Sequence, residues 1–500
     1  MRIPVLIVGG GYAGLATSLF LSHHGIRSLL VDRHPGVSVQ GRARGINQRT
    51  MEIYRPLGLQ RPIEDAGRVF DDDAGVARCA HLTDEWLWVY EQEAPRAWPD
   101  LTAGAFCMAD QNTVEPILIE AARRHGGDIR HNTRMLSFDA TDDGVTALVE
   151  GIGEVNADYL VAADGHRSPI REQIGITRQG AGITQHLASI TVDADLSGIV
   201  TRRALFWIVV NDDIGFGAFV TTATPNRWGV SVAYDPATES LADFTEERCV
   251  RVARSVIGAD VPVRVVDVAG WQQAVGVADA YRAGRVFLVG DSAHVWPPAG
   301  AMGANSAVQD AHNLAWKLAH VLRGKANPSL LDTYEAERRP VALELSRITV
   351  ARQAARWGDD PERDDVDDVL CTLGQRYRST AVVGARHDTV FGDTMDTGAA
   401  PGTRAPHVWL DPDTAVHDLC HDEFVLLSAS AAWCAAADDI ARAVRCDVDG
   451  DWGKRYRAGE DDAILLRPDG YVAWRHEGLP ADPRATLVNA LDDILGRSSK

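Results

Sequence analysis

Apolar, largely β-branched residues run from Ile3 to Val8 and stop at three consecutive glycines, Gly9 to Gly11. A short continuous run of that kind predicts a strand buried on both faces of a parallel sheet. Leu15 to His24 then reads as a helix stopped by Gly25, and Ser28 to Val31 as a second strand ending in Asp32. The continuous pattern returns in "YLVAADG", Tyr159 to Gly165, and at Arg285 to Val289, predicting two further buried strands. Helical spacing marks Thr50 to Leu57, and Asn112 to His125 with Val114, Ile117, Leu118 and Ala121 on one face. It marks also a helix from about Asn305 to Leu322, with Val308, Ala311, Ala315 and Leu318 in register, and another over Leu331 to Trp357.

Between about Ile176 and Gln272 the pattern changes to partial alternation in "HLASITVDADL", "RALFWIVV", "GFGAFVTTAT" and "RWGVSVAYDP". Strands so spaced by turn residues predict an antiparallel sheet with one covered face. Residues 68 to 106 lack a clean period and are rich in Trp and Pro. The charge run "GDDPERDDVDDV", Gly358 to Val369, predicts an exposed loop or linker. Beyond about residue 400 a smaller unit begins, with "EFVLLSAS" and "AILLRPDGYVAWR" as its clearest strands. The fold class is therefore α/β. A discontinuous domain over 1–70, 107–175 and 273–358 receives an inserted β-sheet domain over 71–106 and 176–272, and a third domain follows over 370–500.

Five hundred residues are too many for one core. The net charge of −20 argues against nucleic acid or an anionic membrane as partner, and no apolar run is long enough for a membrane span. Seven cysteines, an odd number without a CxxC, fit reduced thiols in a cytoplasmic protein. The histidines and cysteines show no HExxH or CxxC spacing, so no metal site is expected.

The opening stretch has two readings. A secretion signal needs an unbroken apolar segment, which the glycines deny. The alternative uses every part: Gly9, Gly11 and Gly14 form GxGxxG at a strand-to-helix junction, and Asp32 lies at the end of the next strand. Such glycines supply a tight turn, close backbone approach to a pyrophosphate and close helix packing, while the acid accepts from a ribose hydroxyl. Arg42, Arg44 and Arg49 follow in "GRARGINQR" and suit bidentate anion contacts. Only one GxGxxG occurs, so a second dinucleotide fold is absent from the pattern.

Three segments together, GxGxxG with Asp32, "ADGHRSPIR" at Ala163 to Arg171, and "VGDSAHVWPPAGAMGANSAVQDA" at Val289 to Ala311, resemble the FAD-dependent aromatic hydroxylases of the p-hydroxybenzoate hydroxylase fold. The likeness covers roughly residues 1 to 350. The remainder is similar to the thioredoxin-like C-terminal domain of the larger hydroxylases, including those that tailor aromatic polyketides. The resemblance implies a Rossmann-like FAD-binding domain and non-covalent FAD. It places Gly9, Gly11, Ala13 and Gly14 at the pyrophosphate, with Asp32 and Arg33 by the adenosine ribose. Asp32 stands where glutamate is commoner, which implies a shorter reach or a water bridge. Arg42 and Arg44 would lie by the pyrophosphate and the nicotinamide donor, Gln111 by the flavin side chain, and Asp164 with Gly165 at the pyrophosphate and NAD(P)H. Asp291 would bind the ribityl hydroxyls, and the amides of Gly303, Ala304 and Asn305 the flavin N1–C2 carbonyl edge. Ala301 and Ala307 depart from positions often held by glycine.

The implied activity is a monooxygenase using NADPH or NADH. One oxygen atom from O2 passes through a flavin C4a-hydroperoxide to a polycyclic aromatic, polyketide-type substrate. Trp88, Trp207, Phe216, Phe219, Trp228 and Pro298 are expected to line its cleft, because aromatic walls suit flat ligands. Baeyer–Villiger oxygenation of a ring ketone, and a flavin-binding scaffold without turnover, are the alternatives. An NAD dehydrogenase is disfavoured by the Asp291 segment, and a hydrolase by the lack of a GxSxG elbow around Ser292 and His294. "WLW" at Trp86 to Trp88 lacks the Ile-Pro expected of a halogenase. No general base is identifiable. Cys420 and Cys434 lie too far apart for a thioredoxin-like redox pair, so the last domain is read as structural or oligomeric, in a monomer or homodimer.

Overall fold

The structure is a computed structural model that describes residues 1–39, 41, 43–73, 75–91, 97–357 and 366–497. Three sheets organise it. The first runs in the order Arg282–Ala283, Val286–Leu288, Gly153–Ala162, Arg2–Val8, Ser28–Val31, Asp128–Arg130. Its four inner ladders are parallel, and Val5, Leu6, Ile7, Leu29, Leu30 and Leu160 are fully buried there. That double-sided burial is why these strands read as unbroken apolar runs. The Tyr12–His23 helix and the Met302–Leu322 helix pack against each other on this sheet, the latter starting three residues before the sequence pattern places it.

The second sheet is built chiefly from Arg178–Asp193, Phe206–Asn211, Gly215–Thr221, Arg227–Tyr234 and Arg264–Ala278, with Gly75–Cys79 and Leu87–Glu91 at one edge. The Arg264–Ala278 strand crosses the expected boundary at residue 272, and His294–Val295 pairs with its end. One strand thus belongs to the sheet by pairing and to the first domain by chain position. The Glu246–Ile257 helix covers one face, burying Cys249, Ala253, Val256 and Ile257 against Trp207, Phe219, Trp228 and Val230.

The third sheet orders Arg442–Arg445, Val425–Ser428, Ala463–Leu466 and Val472–His476, with its first pair parallel and the others antiparallel. Three helices, Ala431–Ala436, Asp451–Tyr456 and Pro483–Ile494, accompany it. This is a thioredoxin-like layer arrangement. Of the expected loop over 358–369, residues 358–365 lie outside the described residues, and Asp368 opens a short helix, Asp368–Leu373, capped by Asp367. A local charge count cannot see that the helix buries Cys371 and Leu373.

Buried charge docks the third unit on the first. Glu52 pairs with Arg49 at 2.5 Å and with Arg404, and Arg49 also donates to the Asp469 carbonyl at 2.6 Å. Glu337 holds Lys317 at 2.8 Å and Arg467 at 2.5 Å, while Asp469 accepts from Asn313 and Trp316 at 3.2 Å. Burial alone would raise the Glu52 carboxyl, but Arg404, His417 and Arg49 hold it well below the usual carboxylate range. Removing one partner of such a group leaves an uncompensated charge, a cost of about 3–5 kcal/mol. Arg49, expected among the anion contacts, is instead committed to this interface.

Candidate functional site

The glycines at the end of the Arg2–Val8 strand close a backbone cradle. Gly9 has φ +112°, and a Cβ there would overlap the Ala163 carbonyl. A Cβ on Gly14 would overlap the Gly9 carbonyl, so the helix sits directly on the turn. At Gly11 the space is open, with no atom within 4 Å of a Cβ position. Gly11 is also the N-cap of the Tyr12–His23 helix, and no side chain caps its amides. An uncapped helix N-terminus beside an open glycine surface is a ready anion site. Asp32 accepts from the Gly10 amide, and from the His34 amide at 2.6 Å, which fixes its carboxylate at the edge of this cradle. Arg33 is exposed beside it.

Gly290 carries the next segment into the same place. A Cβ on it would meet Ala13 at 2.8 Å and Ala307 at 2.9 Å, so the turn packs against both only as glycine. Asp291 follows, exposed, on the Gly290–Ser292 turn. Beneath it Ser292 donates to the Ala162 carbonyl at 2.6 Å, and Asp310 accepts from the Gly290 amide at 3.1 Å. Asp310 also holds His294 at 2.7 Å and Arg338 at 2.8 Å. Burial opposes ionisation of Asp310, but His294 and Arg338 keep its carboxyl below the ordinary range. His294 in turn stacks on Trp296, ring centres 4.4 Å apart. Sequence spacing offers His294 no partner; the fold supplies one from sixteen residues further along.

The loop then enters the Met302–Leu322 helix through Ala301, whose φ of +55° is left-handed. Glycine adopts that region freely, whereas a side chain there costs roughly 1–2 kcal/mol. The helix N-terminus again lacks a side-chain cap, leaving the first amides, including those of Gly303 and Ala304, without one. Asn305 is buried and ties this turn to the Gly45–Ile46 strand, donating to the Gly45 carbonyl at 2.9 Å and accepting from the Asn47 amide at 3.0 Å. "GRARG" and "PPAGAMGAN" therefore meet in space.

Other expected residues are present but committed. Arg44 donates to Asp110 at 2.8 Å, to the Leu205 carbonyl at 3.2 Å, and to the hydroxyl and carbonyl of Thr221. Four of its five N–H donors are thus engaged among the described residues, and its work is to clasp the second sheet to the first domain. Asp110, which the sequence pattern does not single out, receives Arg44 and the Ala223 amide at 2.9 Å on its two oxygens. Arg42 lies outside the described residues. Gln111 donates to Glu115 at 2.6 Å at the start of the Gln111–Arg124 helix. Asp164 accepts from Ser168 Oγ at 2.6 Å and the Ile170 amide at 3.1 Å, capping the Pro169–Gln173 helix, and burial raises its carboxyl. Gly165 beside it has φ +84° and open space over its Cβ position.

The expected aromatic wall divides. Trp207 and Phe219 are fully buried and Trp228 nearly so, all three in the core under the Glu246–Ile257 helix, and Trp228 donates to the Ala194 carbonyl at 3.0 Å. Trp207 and Phe219 are core rather than wall, which corrects that expectation, while Trp228 borders a cavity of about 200 Å³ with Leu196, Val200 and Thr222. Partial alternation shows that a strand has two faces, but not which face a helix will cover. The opposite face carries Phe206, Phe216 and Val220, half-buried, with Trp271 further across the sheet on the Arg264–Ala278 strand, separated from Gly215–Thr221 by two strands. Trp88 lines a separate cavity of about 380 Å³ with Trp86 and Ile199, its ring under the Arg202 guanidinium at 4.3 Å. Pro298 is exposed on the loop before Ala301.

All seven cysteines are free, and none pairs Cys420 with Cys434. Burial pushes the Cys420 thiol up to about 12 and raises that of Cys434, which removes thiolate reactivity. No helix among the described residues is long and apolar enough to cross a membrane.

The glycine cradle, the two uncapped helix N-termini and the carboxylates of Asp32 and Asp291 at its margins fit an extended dinucleotide with a pyrophosphate and two sugar-like diols. Comparison with known proteins agrees. Residues 2–349 match the FAD binding domain family model, and residues 398–498 match the aromatic-ring hydroxylase C-terminal model. The chain is 39% identical to tetracenomycin A2 monooxygenase-dioxygenase of Streptomyces glaucescens, over 100% of this chain and 98% of that one. It is 36% identical to 4-methyl-5-nitrocatechol 5-monooxygenase of a Burkholderia species, over 99% and 98%. Among solved structures, a ternary complex of aklavinone-11 hydroxylase with FAD and aklavinone superposes with TM-score 0.89 at 37% identity, covering 99% of each chain. The chain belongs to the FAD-dependent aromatic-ring hydroxylases, the monooxygenase family that includes the polyketide-tailoring hydroxylases.

Proposed function

We propose that this monooxygenase inserts one oxygen atom into a polycyclic aromatic, polyketide-type substrate, with NADPH or NADH as electron donor. The observation that carries the reading is the likeness over the whole chain to tetracenomycin A2 monooxygenase-dioxygenase and to aklavinone-11 hydroxylase, third domain included. The half-buried sheet face of Phe206, Phe216, Val220 and Trp271 supports it, because a broad apolar face suits fused rings.

When bound, FAD supplies the reductive activation of O2 and the oxygen transfer. The residues proposed to hold it are Gly9, Gly11, Ala13 and Gly14 at the pyrophosphate, and Asp32 at the adenosine ribose. Asp164 serves the pyrophosphate and NAD(P)H, Gln111 and Asp291 serve the flavin side chain, and the amides of Gly303, Ala304 and Asn305 face the flavin ring. Those amides favour negative charge next to the helix N-terminus by about 0.3–1 kcal/mol, more when partly buried. Arg44 and Asp110 keep the second sheet closed over the cofactor domain, which excludes water from the reacting centre. The proposed domain limits stay at 1–70, 107–175 and 273–358 for the cofactor domain, with 71–106 and 176–272 for the substrate sheet and 370–500 for the last unit.

The test is steady-state NADPH oxidation with product mass analysis, comparing a tetracyclic quinone, p-hydroxybenzoate and a methylnitrocatechol. Coupled gain of one oxygen atom by the tetracycle alone supports the proposal. Efficient coupled hydroxylation of a single-ring phenol, with no response to the tetracycle, overturns it.

A further inference from the structure

The Tyr12–His23 helix ends on His23, and there the cofactor domain touches the third unit. His421 and Asp422, in the turn that precedes the Val425–Ser428 strand, face it. His23 Nε2 lies 3.1 Å from His421 Nδ1 and 2.9 Å from Asp422 Oδ1, and His421 Nδ1 lies 2.9 Å from Asp422 Oδ2. His125 adds a fourth group, its ring edge-on to His23 with centres 5.4 Å apart.

Hydrogen bonds alone offer one satisfied arrangement, in which each imidazole donates to its own Asp422 oxygen at 2.9 Å. The same convergence lets one cation take a lone pair from each ring nitrogen and from the carboxylate. The spacing suits it, since ligands ~2.0–2.1 Å from a tetrahedral Zn²⁺ stand about 3.3 Å apart. Two imidazoles and one carboxylate are a donor set for a borderline divalent ion, and exclude Mg²⁺ or Ca²⁺, which take oxygen.

We propose that His23, His421 and Asp422 form a Zn²⁺-class site that staples the cofactor helix to the C-terminal domain. Among the described residues it is the one group of three such side chains whose ligand atoms converge. The side chains are 14%, 23% and 50% exposed, so an ion enters from solvent and water completes the coordination. The expectation of no metal site rested on local spacing, which is blind to ligands 398 residues apart. The twelve-residue helix puts the ion ~18 Å from the Gly11 cradle, so its role is structural and not catalytic.

The test uses the untagged full-length holoprotein, stripped with a chelator and titrated with Zn²⁺ against a chromophoric competitor. One Zn²⁺ per chain is expected, bound tighter than about 1 μM, with a raised thermal midpoint. His421→Gln and Asp422→Asn should each weaken binding at least ~10-fold while FAD content and NADPH oxidation stay unchanged. Should His421→Gln fail to fold, Asp422→Asn carries the comparison. No stoichiometric Zn²⁺ in the wild type, or equal binding by both variants, overturns the site. A contact that responds to pH but not to Zn²⁺ assigns the cluster to hydrogen bonding and overturns it equally.

Discussion

The Asn305 side chain accepts the Asn47 amide proton at 3.0 Å and donates to the Gly45 carbonyl at 2.9 Å, joining two loops 258 residues apart in the chain. A third bond, to the Ala301 carbonyl at 2.6 Å, fixes the turn that leads into the Met302–Leu322 helix. Asn305→Ala leaves the buried Asn47 amide and the part-buried Gly45 carbonyl without this partner. Each buried group left unpaired costs about 1–3 kcal/mol. The variant should lose several degrees of thermal stability and bind FAD at least ~10-fold more weakly, because a loss of about 1.4 kcal/mol is tenfold. Flavin fluorescence on titration of the apoprotein measures it. Wild-type FAD affinity in a folded Asn305→Ala protein would remove this clasp from the cofactor site.

Ala301 carries conformational strain that glycine would not. Its φ of +55° is left-handed, and its Cβ lies 2.8 Å from where a Cβ on Gly45 would stand. Ala301→Gly relieves the strain but loosens the unfolded chain, for a net gain of roughly 0.5–1 kcal/mol. Urea denaturation followed by tryptophan emission should show a higher midpoint with an unchanged slope. A lower midpoint would mean that the Ala301 methyl packs more than it strains.

Much of this site is visible in the sequence, and the visible part is the part written locally. Gly9, Gly11, Gly14 and Asp32 lie within one βαβ unit, and each glycine answers a demand of backbone geometry that its neighbours disclose. The same holds for Ala301, which stands at a position often held by glycine and so marks a turn that favours the left-handed region. What stays hidden depends on which distant element arrives. Arg44 and Arg49 look alike in "GRARGINQR", yet one clasps Asp110 and Thr221 while the other is buried against Glu52 and Asp469. Trp207, Phe219 and Trp228 alternate as a cleft wall would, but the Glu246–Ile257 helix covers that face. His23 and His421 have no meaning separately.

Asp291→Ala tests the cofactor assignment directly. The carboxylate is exposed on the Gly290–Ser292 turn, whose shape is held by the bonds of Ser292 and Asp310. The fold should therefore survive. Loss of a charge-assisted hydrogen bond to the ribityl chain costs roughly 1.5–3 kcal/mol, so the variant should purify partly colourless and regain flavin only at raised FAD. Full occupancy at wild-type affinity would place Asp291 outside the site.

Buried histidines make the assembled protein acid-sensitive well above the carboxylate range. Burial, the largest cause in each case, lowers His24 to about 3 and His320 and His407 to about 4. Their unfolded counterparts titrate near ~6.5. Between these values the unfolded chain binds protons that the folded protein refuses, so stability falls as pH drops from about 6.5 toward 4. Each histidine contributes about 1.4 kcal/mol per pH unit in that window, and the three together about 4. Glu52 acts lower: its depressed carboxyl gives stability that is present above its unfolded value near ~4.3 and is lost only in stronger acid. Denaturation midpoints measured with chelator present should thus be level from about pH 8 to 7 and drop steeply from about 6.5 to 5. His320→Gln should make that slope shallower by one histidine's share, about 1.4 kcal/mol per pH unit. It keeps a polar group on the Trp316 carbonyl, which His320 Nδ1 contacts at 2.8 Å. A wild-type midpoint unchanged between about pH 7 and 5 would show that these rings are already protonated in the folded protein, against their burial.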